Sequence, residues 1–143
     1  MSAGQLARFH EAQSRVWPEA LAELRAGLKQ THWMWFIFPQ LASLGRSATA
    51  KHYGIADLGE ARAYLGDTVL GPRLRDAARA VLNHPQRSAE AMLGQIDASK
   101  LCSSATLFEA AGGGPEFAAL LDTFYAGQRC PLTRAALAAA GNT

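Results

Sequence analysis

Almost nowhere in these 143 residues do apolar and polar side chains alternate. They recur instead at spacings of three and four, the period of one face of an α-helix. Proline and glycine cut the pattern into short pieces. The fold class that follows is all-α: a compact single-domain array of about seven or eight short helices over residues 1–143. An α+β fold would need strands that the sequence does not supply.

The pieces can be read in order. Leu6 and Phe9 indicate a short first helix. Ser14 reads as the N-cap of a second, with Pro18 tolerated in its first turn and Val16, Trp17, Ala20, Leu21, Leu24 and Leu28 on one face. Thr31 is placed to cap Trp33–Phe38. That run could be helix or buried strand, and it is read as helix because it has no partner strand. Leu41–Arg46 is a loop. Ser47 caps a helix through Tyr53, and Asp57 with Glu60 makes a capping-box pattern. Gly71-Pro72 opens a helix that His84-Pro85 stops, and Ser88 caps Ala89–Leu93. Asp97 reads as the cap of a helix carrying Leu101, Ala105 and Phe108. Gly112-Gly113-Gly114-Pro115 separates it from a helix through Tyr125, and Pro131–Ala140 is the last.

Composition narrows the class. Hydrophobic residues make up 49% and charged residues 18%, enough to bury a core and unlike a disordered chain. The net charge of +2 is too mild to imply a nucleic-acid partner, although eleven of the fourteen basic residues are arginine. The first residues, MSAGQLARFHEAQ, are amphipathic and lack the apolar centre of a secretion signal. The apolar run near Trp33–Pro39 falls far short of the roughly 20 residues of a membrane helix. Two cysteines, Cys102 and Cys130, are too few for a disulfide scaffold, so reduced thiols in a cytoplasmic protein are expected.

Several long motifs are distinctive. HWMWFIFPQ preceded by ELRAGLKQT, then LGRSATAKHYGI, EARAYLGDTVLGPRLR and IDASKLCSSATLF, resemble a bacterial family catalogued as domain of unknown function 1810. The likeness runs from about Phe9 to Leu137 and implies a compact all-α domain, with no established reaction. Some members carry a "calpastatin" label. An inhibitor of that kind is an extended, disordered chain, which this composition does not fit. Members usually have Asp before the final helix, where this chain has Cys130 in QRCPLT. If that aspartate is a functional acid, this chain lacks it. If it is a cap, Pro131 partly takes over.

The family's motif residues fall here on His32, Trp33, Trp35, Pro39, Gln40, Gly45, Ser47, Tyr53, Asp97, Lys100, Ser103, Ser104 and Phe108. Each has an ordinary role beside a functional one. Trp33, Trp35 and Phe36 are core by their size, yet an indole could wall a ligand site. On a helix Trp33 and Trp35 point about 200° apart, so at most one faces a given pocket. His32 is a general-base candidate or a half-buried hydrogen-bonding residue. Gly45-Arg46-Ser47 before a helix is an anion cradle or a capped turn. Asp97, Lys100 and Ser104 share a helical stripe. They form a cap with an ion pair or, with Ser103, a Ser–Lys nucleophile arrangement.

Two functions compete. In the first, His32, Asp97, Lys100 and Ser104 are catalytic, while Trp33, Gln40, Arg46, Ser47, Tyr53 and Ser103 bind a small anionic or nucleotide-like molecule in a hydrolase, transferase or binding domain. In the second, the same residues are fold determinants of a non-catalytic interaction or structural domain. The histidines lack metal-ligand spacing, so no metal is expected. No G-x-G-x-x-G or Walker loop is present, so no cofactor is expected either. The sequence leaves the oligomeric state open.

Overall fold

The computed structural model describes residues 3–141; Met1, Ser2 and the last two residues, part of the 1–143 domain expected above, lie outside it. In chain order the helices are α1 (Ala3–Ala26), α2 (Met34–Ile37), α3 (Ala48–His52), α4 (Leu58–Gly66), α5 (Leu70–Leu82), α6 (Ala89–Leu93), α7 (Gln95–Ala110), α8 (Pro115–Phe124) and α9 (Pro131–Ala139). A 3-10 turn covers Ala42–Leu44. The all-α expectation holds. The described residues contain nine helices, of which α2, α3 and α6 are single turns of four or five residues.

The two helices expected before residue 30 are one. α1 runs unbroken through Ser14 and Pro18. The Ser14 hydroxyl donates to the Glu11 carbonyl, a bond within the helix and not a cap. The cause lies in the buried face. Leu6, Phe9, Gln13, Ala20 and Leu24 line one stripe across the proline, and that burial against α5 and α2 outweighs the bond that Pro18 cannot donate.

Other local expectations divide. Ser47 caps α3 and Ser88 caps α6, each accepting a backbone N–H at 3.0 Å. Asp57 caps α4 through the Glu60 N–H, but the Glu60 carboxylate reaches past the cap to the Ala56 N–H and to Arg8. Thr31 does not cap α2. Its hydroxyl and N–H both turn back to Glu23 on α1. Asp97 is not a cap either. α7 begins at Gln95 after Gly94, and Asp97 lies inside its first turn.

α7 is the axis. It packs against α4, α6, α8 and α9, and its buried residues run without a break from Ser103 to Phe108. A helix enclosed on several sides has no single apolar stripe. A line of rings crosses the core: Phe9 to Tyr64 at 5.1 Å between centroids, Tyr64 to Phe108 at 5.4 Å, and Phe108 to Phe117 at 5.8 Å. Edge-on and tilted contacts of this kind suit the ring quadrupoles. Gln13 is buried within this layer and donates to the Phe36 carbonyl and the Tyr64 hydroxyl, so its amide is satisfied.

One short parallel bridge ties the segment after α2. Ala42 N–H donates to the Ile55 carbonyl and Ile55 N–H to the Gln40 carbonyl, each at 2.8 Å. This closes 40–55 into a loop that carries α3 across the face of α7. Among the described residues no helix is long and apolar enough to cross a membrane.

Candidate functional site

The loop and α7 enclose a cleft of about 600 Å³. Gln40, Leu44, Arg46, Ser47 and Ala50 form one side, and Gln95, Ile96, Ser99, Lys100 and Ser103 of α7 form the other. Leu132 of α9 closes an end. A smaller recess of about 10 Å³ adjoins it through Gln40, Ala50 and Lys100, and adds Met34, Trp35, Phe38 and Tyr53. Its size admits about one water.

Six of the ten residues singled out from the sequence therefore come together: Gln40, Arg46, Ser47, Tyr53, Lys100 and Ser103. Asp97 stands beside them. His32, Trp33 and Ser104 do not line either cavity. His32 is exposed. Trp33 is fully buried, and its indole N–H donates to Glu23 Oε1 at 2.9 Å. Trp35, on the opposite side of the turn, is the indole that lines the adjoining recess. Ser104 is also fully buried, packed within the bundle and away from the cleft.

Electrostatics at the cleft are set by a three-residue chain. Asp97 binds Lys29 Nζ at 3.0 Å and Lys100 Nζ at 3.8 Å. Lys29 is nearly buried, with 9% of its side chain exposed, so most of the Asp97 charge is committed there. The chain carries two cations and one anion. Each lysine also lies over an indole, Lys29 over Trp33 at 5.1 Å and Lys100 over Trp35 at 5.5 Å. Arg46 lines the same cleft and makes no ion pair among the described residues. Net positive charge is left facing the cavity.

The catalytic arrangements read from the sequence are not assembled. Lys100 faces the cleft while Ser104 is buried behind it, and Ser103, which lines the cleft with Lys100, directs its hydroxyl to the Ser99 carbonyl and Cys130 Sγ instead of to the lysine. The Gly45-Arg46-Ser47 turn is satisfied only in part. Gly45 N–H goes to the Ala42 carbonyl and the Ser47 hydroxyl accepts from Ala50, at a helix of only five residues. Arg46 and Ser47 of this turn both line the cleft. Among the described residues no three His, Cys, Asp or Glu side chains gather as a metal site would require.

Ser103 forms the floor. Its hydroxyl lies 3.3 Å from both the Ser99 carbonyl and Cys130 Sγ. Cys130 occupies the N-cap position of α9 without a side-chain cap bond, and its backbone N–H donates to the Thr106 hydroxyl. Burial pushes this thiol up, but the Ser103 hydroxyl and the N–H groups opening α9 pull it further, leaving it below the ordinary thiol range. Lys29, Ile96 and Leu132 had no signal of their own in the sequence. They join the site only through the way α1, α7 and α9 meet.

The chain is thus a small all-helical domain with a cleft between α7 and the 40–55 loop. It belongs to the family described as "Protein of unknown function (DUF1810)", which matches residues 3–137. A crystal structure of the conserved hypothetical protein Rv1873 from Mycobacterium tuberculosis is 48% identical and superposes with a TM-score of 0.91. The match covers 93% of this chain and 96% of that one. None of the curated proteins matches.

Proposed function

We propose that this domain binds a small anionic molecule in the cleft between α7 and the 40–55 loop. The observation that carries the reading is charge. Among the described residues Arg46 has no carboxylate partner and Lys100 shares Asp97 with a closer lysine, so a cavity of ligand size is left with excess positive charge. Gln40 and Ser47 add neutral hydrogen-bonding groups at its rim. A nucleotide-like ligand lacks the indole wall first assigned to it. Trp33 is in the core, and the Trp35 recess is too small for a base. A hydrolase or transferase role has less support than binding, since His32 is outside the cleft and Asp97 is held by two lysines. A cytoplasmic setting with both thiols reduced belongs to the same proposal.

Thermal-shift titration tests it, with inorganic phosphate, nucleotides and NAD-derived compounds at constant ionic strength. A ligand at 100 times its Kd raises the melting temperature by about 5–10 °C through mass action. Arg46→Ala removes most of that shift. If no anion raises the melting temperature, or the shift survives in Arg46→Ala, the proposal fails.

A further inference from the structure

Among the described residues four large apolar side chains are exposed: Leu28, Val69, Ile96 and Leu132. The two most exposed, Ile96 at 74% and Leu132 at 64%, line the same cleft. They come from the first turns of α7 and α9, far apart in sequence, and Leu44 joins them. Arg46 and Lys100 lie on that cleft as well. An inorganic anion would engage the cations and leave Ile96 and Leu132 in water.

We infer that the cleft takes an amphipathic anion. Its carboxylate or phosphate-monoester head is held by Arg46 and Lys100, and its alkyl or aryl arm covers Leu44, Ile96 and Leu132. The inference rests on the anion-binding proposal and narrows the ligand class. The head group accepts charge-assisted hydrogen bonds from the two cations. The arm gains by removing apolar surface from water on both partners, which is worth about threefold to fourfold in affinity for each buried methylene. The cavity of about 600 Å³ has room for both parts.

Calorimetric titration of the full chain with inorganic phosphate, then butanoate, hexanoate, octanoate and hexyl phosphate, tests this below micelle-forming concentrations. Affinity is expected to climb about tenfold for each two carbons added, and hexyl phosphate to bind tighter than inorganic phosphate by a similar or larger factor. The pair Ile96→Ser with Leu132→Ser flattens the series while leaving phosphate affinity within about twofold. Both side chains are exposed, so an unchanged melting temperature will confirm that the variant is folded. A flat series in the unaltered chain, with phosphate still bound, overturns the amphipathic reading and spares the anion site. So does concentration-dependent self-association that the two serines abolish, because the side chains would then serve a contact between copies. Failure of every anion to bind, phosphate included, removes both.

Discussion

Glu23 accepts four hydrogen bonds from the segment that follows α1. The N–H groups of Gln30 and Thr31 and the Trp33 indole share Oε1, and the Thr31 hydroxyl meets Oε2 at 2.6 Å. Burial by itself would raise this carboxyl, but the donors outweigh it and take the pKa from an ordinary 4.5 to about 2. A carboxyl whose pKa is depressed on folding adds stability above its unfolded value and loses it as pH falls toward the folded one. Glu23→Gln should therefore cost about 1–2 kcal/mol at pH 7, discounted for solvent screening, with the difference fading between about pH 4.5 and 2. Chemical denaturation across that range checks it, and a pH-independent difference would count against this account. Thr31 had every local mark of a cap. The partner that claimed it lies eight residues earlier on α1, and nothing in the sequence of either residue announces the chain reversal between them.

At the scale of elements, caps next to their helices were legible, while helix continuity was not. Ser47 and Ser88 needed only the following turn to fulfil their roles. Pro18 was misplaced into a first turn because the stripe that carries α1 through it is fixed by α5. Pro18 is exposed, so Pro18→Ala restores a backbone donor without losing packing. It should stabilise the domain by about 1–3 kcal/mol in urea unfolding. A loss of stability would mean that the backbone geometry Pro18 imposes on α1 is itself needed for the contact with α5. Gly54 is the opposite case. A Cβ there would stand 2.2 Å from Ala42 Cα, across the bridge that closes the 40–55 loop. Gly54→Ala should cost about 1–3 kcal/mol and weaken anion binding together, since Gln40 and Arg46 ride on that loop. Loss of stability with binding intact would separate the bridge from the site.

Over the whole molecule, Asp97 links stability and cleft charge in opposite senses. It neutralises a nearly buried Lys29 and draws on Lys100 at the cavity. Asp97→Asn leaves Lys29 without its partner, which should destabilise the fold by about 2–4 kcal/mol. The same change leaves Lys100 wholly free and should tighten anion binding severalfold in titrations at low salt. A variant that is both less stable and a poorer binder would mean that the cleft collapses without the pair. What the sequence determined unaided was the class of fold, most helix ends, and the polar residues that could serve a site, because period, proline, glycine and capping chemistry act over a few residues. Tertiary structure alone decided which of those residues meet. It buried Trp33 and Ser104, left His32 outside, chose Trp35 for the recess, and brought Ile96 and Leu132 beside Arg46 and Lys100. Those outcomes depend on which faces of α7 are covered, a matter of packing among distant segments that no local pattern encodes.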